Sequence, residues 1–145
     1  MELLEGIDLQ TLVDRFGPVH PGRVVHVLHQ VCQSLEEAHR AGLVHRDIKP
    51  RNILLGKLGI QYDFAKVLDF ELVKLHTSDP DRTLTTIDGA TTGTPACLAP
   101  EIAMGSSQID GRADLYSLGC TAYFLGNSQR FVIGRGCVWT WAMAR

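Results

Sequence analysis

Three polar residues of different chemistry lie close together in the segment HRDIKPRN, residues 45–52. Asp47 is followed by Lys49 two residues later and by Asn52 five residues later. A carboxylate, an ammonium group and a carboxamide on one tight loop can converge on a single point, where they suit the positioning and charge stabilisation of a polar substrate. An isolated Asp or Asn is more often a turn or cap residue, so this segment alone leaves that interpretation open.

The elements on either side of the loop determine whether these side chains can meet. Upstream, apolar residues between Pro21 and Gly42 recur at the spacing of one helical face, which predicts a helix of about five turns. They are Val24, Val25, Leu28, Val31, Cys32, Leu35 and Ala38. Downstream, the β-rich runs 52–55 and 65–70 flank a glycine-containing connection, 56–63, and predict a hairpin-like pair.

Further segments complete the predicted organisation. A short helix is expected at 9–16, and a helical pattern returns at 99–104 and at 114–125. The last of these is apolar nearly all round, which predicts a central, buried helix. Segment 77–94 is crowded with Thr, Asp and Gly and indicates a long surface loop, whereas the residues after Gly126 follow no clear period.

The composition is that of one globular domain, with 45% hydrophobic and 21% charged residues. The net charge of −2, without a Lys- or Arg-rich run, gives no support for a nucleic-acid partner. Four cysteines without a C-x-x-C pair favour a reduced, cytoplasmic chain in which each cysteine is a small buried hydrophobe. The apolar stretches are too short and too polar for a membrane segment, so none is expected.

Four motifs occur in the order in which protein kinases carry them. HRDIKPRN resembles the catalytic loop, and VLDF, residues 67–70, resembles the strand and the start of the Asp-Phe-Gly motif. GTPACLAPE, residues 93–101, resembles the substrate loop, and DLYSLG, residues 114–119, resembles the start of the central helix of the large lobe. The chain thus resembles eukaryotic-type serine/threonine protein kinases, and especially their bacterial members.

The resemblance implies an α+β fold, namely a mostly helical, kinase-like C-terminal lobe with a small β-hairpin. It covers residues 1–125, from the hinge to the central helix, and leaves 126–145 as an unmatched tail. The N-terminal lobe, with its glycine-rich loop, strand lysine and helix glutamate, is expected to be absent, and the chain to be truncated or frame-shifted. The implied function is ATP-dependent protein phosphorylation, impaired in this chain; the alternative is a non-catalytic, pseudokinase-like binding module.

The resemblance also implies catalytic and metal-binding residues, position by position. Asp47 would accept the proton of a Ser or Thr hydroxyl on a protein substrate, Lys49 would contact the transferred phosphate, and Thr94 would brace both. Asn52 and Asp69 would hold Mg²⁺, a hard cation that prefers oxygen ligands. ATP and Mg²⁺ are therefore the expected cofactors.

A nucleotide site is implied at the hinge and on the hairpin. Glu2 and Leu4 would offer backbone groups to adenine. Leu54 would pack beneath the adenine ring, and Asp8 is a weaker candidate for a contact with the ribose. These four residues would define the nucleotide pocket.

Two residues are expected to hold the site rather than to act in it. His45 would pack in the core and bind backbone, and Asp114 would accept hydrogen bonds from the backbone of the catalytic loop. The other histidines show no metal-like spacing, and we expect them on solvated faces; they are His20, His26, His29, His39 and His76.

One position departs from the family, because Glu71 follows Asp69 and Phe70 where the Asp-Phe-Gly motif has glycine. A Cβ restricts the backbone there, and a second carboxylate adds negative charge beside the expected metal ligand. We therefore expect Glu71→Gly to raise the affinity of the chain for Mg²⁺-ATP, as measured by calorimetric titration. An unchanged affinity would count against this role of Glu71.

Overall fold

The computed structural model describes residues 6–68, 97–106 and 108–128. In these ranges the chain forms strands and helices in the order β1 (Gly6–Asp8), α1 (Leu9–Phe16), α2 (Pro21–Arg40), β2 (Ile53–Leu58), β3 (Gln61–Val67), α3 (Pro100–Ala103) and α4 (Gly111–Asn127). A 3₁₀ turn, Pro50–Asn52, leads directly into β2. The α+β class expected from the sequence is confirmed.

Helix α2 supplies a large part of the core through one stripe of side chains. The buried residues of this helix are Val24, Val27, Val31 and Leu35. Val25 and Cys32, which the apolar spacing placed on the same face, are exposed. The predicted helix is confirmed. Its buried face differs from the predicted one, because Val27, rather than Val25, lies four residues before Val31.

The three strands form one antiparallel sheet in the order β1-β2-β3. Strand β2 is central, since Leu55 lies opposite Ile7 of β1 on one side and opposite Ala65 of β3 on the other. The predicted hairpin is confirmed, but its strands run further toward the turn, where Gly59 has a left-handed φ of 59°. Strand β1 was not predicted, because three residues are too few to show an alternating pattern.

Helix α4 begins after Asp110, whose carboxylate accepts a hydrogen bond from the Arg112 amide and so caps the helix. Its buried residues include Ala113, Asp114, Ser117, Leu118, Thr121 and Leu125. Leu115 and Tyr123, in contrast, are 52% and 44% exposed. Much of the helix is thus buried, as expected, but the side that carries Leu115 and Tyr123 is exposed.

The core lies where α2 packs against both the hairpin and α4. It combines residues from α1, α2, the loop after α2, the hairpin and α4, among them Leu12, Val27, Leu35, Ile48, Ile53, Ala65 and Leu125. The Val19 amide donates a hydrogen bond of 2.8 Å to the Leu125 carbonyl and ties the α1–α2 connection to the end of α4. The polar loop at residues 45–52 is therefore held between elements that share one core.

Several expectations fall outside the described residues. The predicted long loop at 77–94 and the tail after residue 128 lie there, as do the positions Glu2, Leu4, Asp69, Glu71 and Thr94. Among the helices that the structure does describe, none has the length and apolar character needed to cross a membrane.

Leu35 is 1% exposed and Val25 is 66% exposed, although both lie on α2. We expect Leu35→Ala to lower the free energy of unfolding by about 2–5 kcal/mol, because it removes buried methyl groups and leaves a cavity. Val25→Ala should change that free energy by less than about 0.5 kcal/mol. Urea unfolding followed by circular dichroism measures both, and equal effects would show that the buried face of α2 is wrongly assigned.

Candidate active site

The loop between α2 and β2 places Asp47 and Lys49 side by side. Ile48, between them, is 2% exposed and anchors the loop in the core. The Lys49 Nζ lies 3.0 Å from Oδ1 and 2.7 Å from Oδ2 of Asp47. The side chains of Lys49 and Asp47 keep 38% and 55% of their surface exposed, respectively, so the pair is accessible to an incoming substrate.

Asn52 is buried next to this pair and holds Asp47 in place. Its Nδ2 donates to the backbone carbonyl of Asp47 and to Asp47 Oδ2, both at 2.9 Å. These bonds use only the amide nitrogen, and in the described part of the chain the side-chain oxygen of Asn52 accepts no hydrogen bond that would compete with a ligand. The structure therefore brings the three polar residues of the motif together, as the sequence suggested.

Both ring nitrogens of His45 bind backbone groups. Its Nε2 lies 2.8 Å from the carbonyl oxygen of Leu68, and because a carbonyl can only accept, Nε2 carries the proton. The Asp47 amide donates to Nδ1 across 3.3 Å, so Nδ1 is the acceptor. The side chain is buried, and the expectation that His45 packs in the core and binds backbone is confirmed.

The buried carboxylate of Asp114, on α4, holds the start of the loop. Its Oδ2 accepts the His45 amide at 2.9 Å, and its Oδ1 accepts the Arg46 amide at 2.7 Å. Arg46 has a φ of 65°, in the left-handed region, which costs a residue other than glycine about 1–3 kcal/mol. Because Asp114 binds two successive amides, it stabilises this strained backbone. The expected role of Asp114 as a structural acceptor is confirmed.

His39, near the end of α2, is a further partner of Asp114. Its Nε2 lies 2.8 Å from Asp114 Oδ2, so the expectation that His39 lies on a solvated face is wrong. The physical reason is its position, because Val31, Leu35 and His39 follow one another at intervals of four residues. His39 thus continues the buried stripe of α2, and that spacing was the signal in the sequence that could have identified it.

The end of β3 is tied to the same loop. The Leu68 amide donates to the Asn52 carbonyl at 2.8 Å, and the Leu68 carbonyl accepts the His45 bond. Leu68 directly precedes Asp69, which lies outside the described residues, as does Thr94. The structure therefore brings the residue before Asp69 next to Asn52, while the roles of Asp69 and Thr94 stay predictions.

Leu54 and Asp8 lie opposite each other in β2 and β1, and Leu54 is half-buried. Asp8 caps α1, since its carboxylate accepts hydrogen bonds from the amide and the hydroxyl of Thr11, at 2.9 and 2.6 Å. Partial burial opposes ionisation of Asp8, but the hydrogen bonds from Thr11 and from neighbouring backbone amides together outweigh it and lower the pKa of this carboxyl. This capping role was missed from the sequence. The roles of Leu54 and Asp8 toward a nucleotide stay predictions, as do those of Glu2 and Leu4.

The donor chemistry at this site suits Mg²⁺. The side-chain oxygen of Asn52 is a hard ligand, and Leu68 leads from Asn52 to the carboxylate of Asp69. Within the described ranges no three His, Cys, Asp or Glu side chains gather into a metal cluster. A metal ion at this site would therefore need oxygen ligands from the nucleotide or water in addition to these residues.

Comparison with known proteins points to one family. The protein kinase domain model matches residues 1–135. Serine/threonine-protein kinase pkn3 of Myxococcus xanthus is 43% identical over 125 residues, which cover 86% of this chain and 23% of that relative. Pkn1 of the same species is 46% identical over 125 residues, which cover 86% of this chain and 17% of Pkn1. PknB of Mycolicibacterium smegmatis is 37% identical over 134 residues, which cover 92% of this chain and 20% of PknB.

The fold is also similar to that of a solved kinase. The crystal structure of Rad53 1-466 in complex with AMP-PNP matches with a TM-score of 0.68 and 26% sequence identity, over 93% of this chain and 31% of that one. The chain spans less than a quarter of the length of each of the three relatives above. These matches confirm the resemblance to bacterial serine/threonine kinases that was drawn from the motifs.

The hydrogen bonds of Asp114 can be tested by one substitution. Asp114→Asn keeps the size of the side chain but turns one acceptor oxygen into an NH₂ group that faces a donor. We expect it to lower the free energy of unfolding by about 2–4 kcal/mol. Asp110→Asn, at the exposed cap of the same helix, should change it by less than about 0.5 kcal/mol, because Asn caps a helix as well as Asp does. Urea unfolding measures both, and a small effect at Asp114 would contradict its assigned role.

Proposed function

The chain belongs to the protein kinase domain family, and on that premise we propose that it is the catalytic region of a serine/threonine protein kinase, which transfers the γ-phosphate of ATP to a protein hydroxyl. The observation that carries this proposal is the convergence of Lys49 and Asn52 on the carboxylate of Asp47, within hydrogen-bond distance. The names of the similar bacterial proteins, all serine/threonine-protein kinases, support it.

Asp47 would accept the proton of the substrate hydroxyl. Its side chain is 55% exposed and is held by Asn52, so a hydroxyl group could approach it without a rearrangement of the loop. A positioned general base of this kind contributes about 10²–10⁴-fold to a reaction rate. Thr94 would brace Asp47 and Lys49 during transfer.

Lys49 would contact the transferred phosphate. In the structure its ammonium group neutralises Asp47, and a phosphate oxygen would compete for the same cation. Because phosphoryl transfer needs mainly positioning and charge stabilisation, a mobile cation beside the base suits the reaction.

Asn52 and Asp69 would hold Mg²⁺, which neutralises phosphate charge when it is bound. Glu2 and Leu4 would offer backbone groups to adenine, and Leu54 would pack against the ring. The similarity to a kinase that was crystallised in complex with AMP-PNP supports a nucleotide ligand. The described residues would form the C-terminal lobe of the kinase domain.

A second candidate function rests on one feature of the sequence. Glu71 replaces the glycine of the Asp-Phe-Gly motif, and it supports either impaired catalysis or a non-catalytic, pseudokinase-like binding module. In the second case the chain would not need to bind Mg²⁺-ATP. A titration of the chain with ATP in the presence and absence of Mg²⁺ separates the two, because saturable binding at millimolar nucleotide or below is required only by a kinase.

The proposed base is tested by comparing the chain with its Asp47→Asn variant. We expect the variant to transfer about 10²–10⁴-fold less phosphate to a generic Ser/Thr-containing protein substrate, because Asn cannot accept the proton. Asp14→Asn, an exposed change on α1, should leave transfer unchanged. The rate of transfer of labelled phosphate from ATP is measured for the unmodified chain and for both variants.

Two results would contradict this proposal. The first is phosphate transfer that survives in Asp47→Asn at the level of the unmodified chain. The second is the absence of both transfer and Mg²⁺-ATP binding in the unmodified chain, which would instead favour the binding module.

A further inference from the structure

Strand β3 has one edge that no other strand covers in the described part of the chain, because the sheet order is β1-β2-β3. Backbone groups of alternate residues in a strand face the same edge. Asp63 has a left-handed φ of 56° beside an irregularity in the β2–β3 pairing, and both its carbonyl and the amide of Ala65 bind a side chain of α2. This edge faces helix α2, which packs against β3.

The side chain of Gln30, on α2, binds both of these backbone groups. Its Nε2 donates to the Asp63 carbonyl at 2.8 Å, and its Oε1 accepts the Ala65 amide at 3.1 Å. The carboxamide thus pairs with β3 as one residue of a neighbouring strand would. Its orientation is fixed, because a flipped amide would place donor against donor and acceptor against acceptor.

The amide of Gln30 makes a third contact, within its own helix. Gln30 Nε2 lies 3.0 Å from the Nε2 of His26, one turn earlier on α2. Arg23, two turns earlier on α2, donates two hydrogen bonds of 2.8 and 2.6 Å to the Asp63 carboxylate, and the side chains of this pair are 41% and 31% exposed. This pair holds the side chain of Asp63, whereas Gln30 binds the backbone of β3 itself. Gln30 therefore provides a backbone attachment of β3 to α2.

This attachment lies three residues before the active site. From Ala65 the strand runs to Leu68, whose amide and carbonyl bind Asn52 and His45. The next residue is Asp69, the proposed second ligand of Mg²⁺. Movement of β3 along its axis would shift Leu68 relative to Asn52 and His45, and Leu68 directly precedes Asp69 in the sequence.

We propose that Gln30 is a positioning residue for the metal-binding end of β3, acting through its paired hydrogen bonds to Asp63 and Ala65. The inference rests on the proposed function, because it takes Asp69 and Asn52 as the ligands of Mg²⁺. Gln30 itself contacts neither metal nor nucleotide. It sets the position of the strand that leads to one ligand.

Two variants and one control test this role. Gln30→Met keeps the length of the side chain but loses both hydrogen bonds to β3, and Gln30→Glu keeps only the acceptor for the Ala65 amide. Gln33→Met makes the same change at an exposed position of the same helix. All three are made in the full chain.

The first measurement is the Mg²⁺ concentration that half-saturates nucleotide binding at a fixed ATP concentration. We expect this concentration to rise about tenfold in Gln30→Met, because loss of a residue that supports a metal ligand lowers metal affinity by about tenfold or more. In Gln30→Glu it should rise less. ATP affinity without Mg²⁺, and the behaviour of Gln33→Met, should not change. An unchanged Mg²⁺ requirement in Gln30→Met would overturn the proposal.

The second measurement needs no nucleotide. Amide hydrogen exchange is followed at Ala65 and Leu68, relative to Val31 in the core of α2, so that a general loss of stability is separated from a local one. We expect Gln30→Met to speed exchange at both positions. Faster exchange at Ala65 alone would show that Gln30 only covers the strand edge, and the positioning role would be wrong.

The two measurements separate the inference from the function on which it rests. If the unmodified chain binds no Mg²⁺-ATP, the proposed function fails, and the exchange at Leu68 still decides whether Gln30 controls the end of β3. If the unmodified chain binds Mg²⁺-ATP and the variants bind it with the same Mg²⁺ requirement, only the role of Gln30 fails.

Discussion

Asp114 has no exposed surface, and taking an ionised carboxylate out of water costs several kcal/mol unless other donors replace the water. Three donors do so here, from His39, His45 and Arg46. The acceptor belongs to α4, one donor belongs to α2, and two belong to the loop that carries Asp47. The desolvation cost therefore favours one specific arrangement, because the Asp114 carboxylate has all its hydrogen-bond donors only when α2, α4 and the loop meet.

Helix α2 transmits this arrangement to the sheet. His39 binds Asp114 near one end of the helix, and Gln30 binds the edge of β3 roughly 13 Å earlier along its axis, at 1.5 Å per residue. A helix is rigid over that length, so the distance between the two contacts is fixed. The loop and the end of β3 then meet at His45, whose ring donates to Leu68 and accepts from the Asp47 amide. The site is thus positioned from two directions.

The parts of this arrangement that follow local patterns could be predicted from the sequence. Helical spacing predicted α2, β-rich runs around a glycine-containing connection predicted the hairpin, and residue types indicated that Asp47 and Asn52 could converge. The contacts that depend on distant partners could not be predicted in this way. Gln30 has no local signal, because its role exists only when β3 presents an uncovered edge, and His39 differs from a surface histidine only by its place on the buried stripe.

The two residues that hold Asp47 differ in how easily they can leave it. Asn52 is buried and binds both the side chain and the backbone of Asp47, while Lys49 is partly exposed on a flexible four-carbon stem. A phosphate group that draws the Lys49 ammonium away would remove the charge partner of Asp47 but not its positional support. Because Asn52 binds both the side chain and the backbone of Asp47, the carboxylate would keep its position while Lys49 turns toward the phosphate.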